Sequence, residues 1–307
     1  MGFSGGKFIL TGEHAVMYKV PALSIPIKKK GVKSTLKRSD TPFRIILNNQ
    51  TFFMKTVPEE LVSLTILINR LCSNLKIDLN KLTLKIKSNL PYQKGLGFSA
   101  SLSASVVKAF YKFKGLPLKD EDLIYHLDVT ERINHSDHSG IDMLSIIKEK
   151  PLYFINRDKY ELIEISLNGY LLVFDSNDKS NTKKSVLKVQ SFFNKNENIK
   201  DDILKQFENV VNNIYQNIKD KDIDALGENL NQNHQLLKQI GVSNNKINKL
   251  INLTLKEGAL GGKITGSGNG GCFIVLVNSK KVIKKTIKIM NENNAKLITT
   301  INLRNLR

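Results

Sequence analysis

The chain has no tryptophan and only two cysteines, Cys72 and Cys272, 200 positions apart. Cysteines so few and so far apart argue against a disulfide framework or a cysteine zinc site, and they suit a reducing, cytoplasmic compartment. No run approaches the ~18 uninterrupted apolar residues of a membrane-spanning helix, so no membrane partner is expected. The N-terminal stretch MGFSGGKFILTGEHAV lacks a basic region leading into a clean apolar block, because Lys7, Glu13 and His14 interrupt it. A secretory signal is therefore not expected. Internal repeats and low-complexity linkers are also missing. Acidic residues are in deficit, 28 against 47 Lys and Arg, for a formal charge of +19. Nucleic-acid binding needs more than charge; it needs a reading element. Here the basic residues are spread along the whole chain, the one dense cluster is IKKKGVK at 27–33, and no aromatic platform is interleaved with it. No nucleic-acid partner is expected, and the positive field favours a small anionic substrate.

The 307 residues, 41% apolar and 24% charged, suffice for a large core in one or two domains. KLTLKIK alternates Leu82, Leu84 and Ile86 with polar residues, a half-buried strand. FRIILNNQTFFMK predicts two strands around an Asn-Asn turn, the mark of a hairpin. VPEELVSLTILINRLCSNL carries apolar residues at helical spacing, with acids expected in its first turn. PALSIPI predicts a strand broken by Pro21 and Pro26. KDEDLIYHLDVTERINH is a helix, and the segment from about 183 to 256 is predominantly helical. PLYFI, LIEISLNGYLLVFDS, GGKIT, CFIVLV and KLITTINL are strands, with a helix over VIKKTIKIMNENNA. Hairpins mixed with helices predict an α+β fold with two layers in each half. The strands separate into two groups near 155–165, which sets the expected domains at 1–160 and 161–307.

Two glycine loops stand out. In LPYQKGLGFSAS, Gly95 and Gly97 permit close backbone approach, and Ser99, Ala100, Ser101 and Ser103 open a helix of small side chains. The unpaired N–H groups of such a helix start can cradle phosphate, although a tight strand-to-helix turn has the same composition. It is not a Walker loop, because no G-x-x-x-x-G-K-[ST] occurs anywhere. In KITGSGNGGC the glycines resemble a dinucleotide fingerprint, but they lead into the strand FIVLV, where that fingerprint must open a helix. Either a ligand or another backbone lies close to this loop, or it is a flexible hairpin. A third stretch, ERINHSDHSGID at 131–142, could hold a metal through His135 and His138, or could offer Glu131 and Asp142 to a phosphate-handling site. No convincing third and fourth metal ligand is found elsewhere, since His126 and His234 stand without ligand-like neighbours.

Taken together, these motifs resemble the GHMP-superfamily small-molecule kinases, and within them the mevalonate kinases. GKFILTGEHAVMYKVPAL (6–23) resembles G-K-x-x-L-x-G-E-H-A-V-x-x-x-x-P-A-L. LPYQKGLGFSAS resembles P-x-x-x-G-L-G-S-S-A, and KITGSGNGGC resembles K-x-T-G-A-G-G-G-G-C. ERINHSDHSGID matches E-R-x-x-H-x-x-x-S-G-x-D. The order is that of the family, over nearly the full chain. The resemblance implies a two-domain fold, with an S5-like, ATP-binding N-terminal domain and a ferredoxin-like C-terminal domain. It implies ATP and mevalonate as ligands, Mg²⁺ as cofactor, 5-phosphomevalonate as product and a homodimer as the assembly. Competing readings are another kinase of the superfamily, acting on phosphomevalonate, homoserine or a sugar, and a ligand-binding relative without turnover.

The resemblance also implies roles. Asp142 is the candidate base, and Lys7 the cation beside it, holding the carboxylate ionised. Ser99 and Glu131 match magnesium ligands. Residues Gln93, Lys94, Gly95, Leu96, Gly97, Phe98 and Ser99 wrap the phosphates, with Ser88 contacting the nucleotide upstream. Glu13, His14 and Thr182 match mevalonate-organising positions, His14 suiting a carboxylate-bearing substrate. Gly266, Ser267 and Gly268, in the stretch Gly266 to Gly271, close on the substrate side or on the surroundings of the base. The chain departs from the family at Phe98 (usually Ser), at Gln93 and Lys94 (usually small), at His138 (usually Pro), at Met143 and at Ser180 (commonly Arg). Lys94 is expected to act as an added phosphate contact.

Overall fold

The computed structural model describes residues 1–92, 94–134 and 139–307. The chain forms two compact units. One comprises Met1–Lys7, Pro26–Tyr92 and Gly97–Glu149; the other comprises Phe8–Ile25, Gln93–Leu96 and Lys150–Arg307. Strands β1 (Gly2–Thr11) and β2 (Ala22–Arg38) give residues to both. Among the described residues no helix is long and apolar enough to cross a membrane.

The first unit adds β3 (Arg44–Leu47), β4 (Gln50–Phe52), α1 (Val62–Leu75), β5 (Leu82–Ser88), α2 (Phe98–Lys114), α3 (Asp120–Asn134) and α4 (Ile141–Lys148). Residues 32–38 of β2 pair antiparallel with β5; β3 runs parallel to β5 and antiparallel to β4. The expected hairpin is present, and Asn48 and Asn49 both adopt positive φ, 46° and 74°, as a two-residue primed turn requires. On β5, Leu82, Leu84 and Ile86 are buried while Lys85 and Lys87 face water, so the alternation in sequence is the alternation of the pleat. On α1, Leu64, Leu67, Ile68, Leu71 and Leu75 form one buried stripe. Helix α2 packs against α1, α3 and α4, and its small side chains let these elements approach. Ser105 Oγ meets Ser34 Oγ at 2.7 Å, joining α2 to β2.

Three local expectations change. The acids before α1 lie in a preceding 3₁₀ turn, Glu59–Leu61, so the first turn of α1 has none. Pro26 does not break its strand. The β5 partner strand begins at Val32 and the later strand β6 (Leu152–Phe154) pairs only with residues 22–24, so neither needs the N–H that Pro26 lacks. And α4, not expected as a helix, immediately follows the ERINHSDHSGID motif's last glycine.

The second unit adds β7 (Tyr160–Leu162), β8 (Tyr170–Asp175), α5 (Thr182–Lys195), α6 (Glu197–Asp220), α7 (Ile223–Gln239), α8 (Asn245–Lys256), β9 (Gly261–Ile264), β10 (Cys272–Val277), α9 (Lys280–Glu292) and β11 (Lys296–Asn302). Its main sheet has the order β11–β8–β10–β9, antiparallel throughout. With helices between β8 and β9 and between β10 and β11, this is the split βαβ order of ferredoxin-like folds. Every residue of central strand β10 is buried. Asn181, Asp222, Asn244 and Ser279 cap their helices by accepting the N–H three residues on, which satisfies donors that the helix itself cannot. The fold is α+β, as the pattern of hairpins and helices predicts.

Candidate active site

In the first unit, Lys7 reaches Asp142: Nζ lies 2.7 Å from Oδ1. The two residues are 135 positions apart in sequence, brought together because the part of β1 up to Lys7 and all of α4 belong to one unit. Lys7 is buried, whereas the Asp142 side chain keeps 38% of its surface exposed. Asp142 occupies the first turn of α4, where the helix dipole favours a negative charge. Oδ1 is engaged by Lys7, and Oδ2 carries no hydrogen bond among the described residues.

Gly97 lies against the same lysine. Its φ is +72°, and a Cβ there would stand 3.0 Å from Lys7 Cγ and 3.2 Å from Cε. Glycine is therefore required both for the left-handed turn and for room. Helix α2 starts at the next residue with no side-chain cap. Its first N–H groups have no acceptor within the helix, so this start has the donors that an anion requires. Ser101 anchors it: Oγ lies 2.6 Å from the Gly5 carbonyl and 2.7 Å from the Gly97 carbonyl, and its one proton is donated between them. Ser99 stands in the first turn of α2, and Glu131 is a buried carboxylate on α3. A hydroxyl and a carboxylate are hard oxygen donors, the kind that suits Mg²⁺ when nucleotide phosphates complete its shell. Among the described residues no group of three or more His, Cys, Asp or Glu is gathered to hold a metal by protein ligands alone. Phe98, the departure beside Ser99, packs edge-on against Tyr92 with ring centres 5.0 Å apart. Ser88 Oγ closes a local turn, accepting the Leu90 N–H at 3.1 Å and lying 3.2 Å from the Leu90 carbonyl.

In the second unit, Glu13 forms a fully buried ion pair with Lys263 Nζ, which also donates to the Ile264 carbonyl at 2.6 Å. His14 follows in a strained conformation, φ 62° and ψ −47°. Its Nε2 lies 3.1 Å from the Ser267 carbonyl. Burial pushes the His14 pKa down to about 4, against the Ser267 hydrogen bond and helped by Lys263. The imidazole is thus neutral at pH 7, Nε2 donates to Ser267, and Nδ1 remains an acceptor. The Ser267 hydroxyl is buried without a hydrogen-bond partner among the described residues. Thr265 holds the glycine loop to β1: its Oγ1 accepts the Ile9 N–H and donates to the Ile9 carbonyl. Gly95 and Gly266 touch backbone to backbone, and a Cβ on Gly95 would lie 2.9 Å from Gly266 Cα. That close approach accounts for one glycine in each loop. Gly268 is equally confined, since a Cβ there would lie 2.1 Å from the Val242 carbonyl. Thr182 opens α5 on the surface.

The structure thus pairs Lys7 with Asp142 in one unit, and gathers Glu13, His14, Gly95, Gly266 and Ser267 in the other. Leu96 is buried between the two glycines. Lys94 is not left pointing outward for a phosphate; Asp175 Oδ1, at 2.9 Å, and the Asp178 carbonyl, at 2.7 Å, hold its ammonium. Gln93, His135 and His138 lie outside the described residues. Sequence reasoning passed over Lys263, Thr265, Asp175 and Asp178. The first two lie within the KITGSG motif, so that motif was the available signal.

Two family models match the chain: the N-terminal domain of GHMP kinases over residues 63–149, and the C-terminal domain of GHMP kinases over 214–296. Together they span more than half of it. The chain belongs to the GHMP kinases. Among curated members, a mevalonate kinase of Methanocaldococcus jannaschii is 29% identical over 95% of this chain and 96% of its own length. Two solved structures share the fold of this GHMP kinase. The crystal structure of L. major mevalonate kinase in complex with R-mevalonate superposes with a TM-score of 0.81 at 22% identity, over 98% of this chain and 95% of that one. Streptococcus pneumoniae phosphomevalonate kinase, in complex with phosphomevalonate and AMPPNP, gives the same TM-score at 16% identity, over 97% and 98%. The fold alone therefore does not choose the substrate.

Proposed function

We infer that this GHMP kinase transfers the γ-phosphoryl group of ATP to (R)-mevalonate, forming 5-phosphomevalonate and ADP. The observation that carries the chemistry is the Lys7–Asp142 pair, with Gly97 pressed on the lysine and the start of α2 following it. The substrate assignment is supported by the GEHAV element and by full-length similarity to curated mevalonate kinases. Two free cysteines support a reducing, cytoplasmic setting.

Phosphoryl transfer asks the protein to place two oxygens in line and to neutralise spreading charge. The attacking oxygen is the primary hydroxyl of mevalonate. Asp142 Oδ2 accepts the hydrogen bond of that hydroxyl and takes its proton as the O–P bond forms. Lys7 fixes the carboxylate's direction through Oδ1, and its charge stabilises the developing alkoxide. The bond from the γ-phosphorus to the β–γ bridging oxygen breaks, and ADP departs. The start of α2 and the glycines of residues 95–97 hold the phosphates. Ser99 and Glu131 would hold Mg²⁺, which when bound would supply positive charge against that of the phosphates. Within the second unit, His14 Nδ1 and the Ser267 hydroxyl, which has no hydrogen-bond partner among the described residues, are able to read hydroxyls.

The test is ADP release from Mg-ATP with mevalonate, beside phosphomevalonate, homoserine and galactose. Release with mevalonate alone, reduced by roughly 10²–10⁴ in Asp142→Asn with the fold intact, is expected. Turnover of a different alcohol, or an Asp142→Asn enzyme of undiminished kcat, would overturn the reading.

A further inference from the structure

A lysine in a phosphate loop invites the reading of a direct phosphate contact, but the surroundings of Lys94 argue for another use. Its side chain keeps only 14% of its surface, and two oxygens from one neighbouring segment already hold the ammonium, Asp175 Oδ1 at 2.9 Å and the Asp178 carbonyl at 2.7 Å. Asp178 is itself a junction. Its carbonyl also accepts the Gly271 N–H at 3.0 Å, and its carboxylate accepts from Lys246 Nζ at 2.7 Å. Ser176 bonds to the Gly271 carbonyl twice, through its N–H at 2.9 Å and its Oγ at 2.8 Å. Gly95 rests on Gly266. Loop 176–181 is thereby bonded to both 94–96 and 266–271, and the last two touch at Gly95 and Gly266. Loop 94–96 leads into Gly97 and α2, and loop 176–181 leads into Thr182 and α5.

We propose that Lys94 is a positioning residue that ties the nucleotide loop to the substrate-side loop 176–181, so that each ligand binds more tightly when the other is present. The proposal rests on the kinase reading above. The physical argument is one of shared order. A charge-assisted bond between two largely buried groups holds both loops in a single arrangement. A ligand that immobilises either loop then spares the second ligand part of its ordering cost, and linkage makes the effect reciprocal. A phosphate that took Lys94 for itself would first have to displace two acceptors.

The experiment measures mevalonate affinity by calorimetry with and without Mg-AMPPNP. It compares full-length wild type with Lys94→Met, Lys94→Arg, Asp175→Asn and the Lys94→Met/Asp175→Asn double variant. In wild type the nucleotide should tighten mevalonate binding by about fivefold or more. In Lys94→Met and in Asp175→Asn this factor should fall to about one, with KM for mevalonate raised about tenfold. The double variant should be no worse than either single one, and Lys94→Arg should recover part of the coupling. Coupling that survives in Lys94→Met, or a defect confined to KM for ATP, would overturn the proposal. If the wild type phosphorylates another alcohol, the mevalonate assignment fails and the same cycle is run with that alcohol. If no alcohol binds, amide exchange over 176–181 decides, in protein without ligand. Faster exchange in Lys94→Met than in wild type supports the tether, and equal exchange overturns it. Should Lys94→Met fail to fold, Asp175→Asn carries the same readouts.

Discussion

The Glu13–Lys263 pair offers the sharpest test of how the second unit is held together. Neither side chain has appreciable exposure, 2% for Glu13 and none for Lys263. Burial pulls the Lys263 pKa down and the carboxylate of Glu13 pulls it back up, with burial the larger effect. Such a pair adds little against a well-packed apolar alternative, yet removing one partner strands a charge out of water. Lys263→Met keeps the volume of the stem and deletes the ammonium. The Glu13 carboxylate is then buried without its lysine, at a cost of about 3–5 kcal/mol. For a unit of this size each kcal/mol moves the melting temperature by about 2–4 °C, so the variant should melt roughly 10 °C lower. Lys263→Met combined with Glu13→Leu should recover most of that loss, because no charge remains to be stranded. With no tryptophan in the chain, unfolding is best followed by far-ultraviolet circular dichroism or calorimetry. A single variant within about 1 kcal/mol of wild type, or a double variant no better than the single, would refute the reasoning. Activity gives a separate reading. The double variant should refold and still turn over poorly, because Glu13 and the neighbouring His14 form part of the proposed substrate side.

Gly97→Ala should lower kcat for ADP release at least about tenfold while moving the melting temperature by only a few degrees; the left-handed φ costs about 1 kcal/mol, and the new Cβ must shift the Lys7 stem, which disturbs its 2.7 Å contact with Asp142. An alanine variant with wild-type kcat would show that the contact is idle. Glu131→Gln should raise the Mg²⁺ concentration for half-maximal activity by about tenfold or more, and an unchanged magnesium titration would remove Glu131 from the metal site. Stability should fall between about pH 6.5 and pH 4. Burial depresses His126 and His234 to about 4, so the unfolded chain takes up protons over this window before the folded chain does. Melting temperatures at pH 7 and pH 4.5 test this, and equal values would contradict it.

The elements legible in sequence are those whose stabilisation is local. The β5 alternation, the α1 stripe and the Asn-Asn hairpin each write a side-chain period or a turn requirement directly into adjacent residues. Helix α4 shows the limit. Over eight residues it buries Ile141, Met143, Leu144, Ile146 and Ile147, so nearly every face is apolar and no helical period is left to read. Pro26 misleads for the complementary reason, since its effect depends on which neighbours need its N–H, a property of the sheet and not of the heptapeptide. The site divides in the same way. The glycine loops announce themselves, because close backbone approach demands glycine wherever it occurs. The partners of charged residues do not. Lys7 and Asp142 are joined across 135 positions, and sequence reached that pair through a family motif rather than through any pattern of charge. Lys263 is the clearest case. A lysine between glycine and isoleucine in a strand carries the composition of a solvated edge, yet it is wholly buried. Only the position of Glu13 in space explains why a charge belongs there, and the same glutamate connects that lysine to the GEHAV element from which the substrate was inferred.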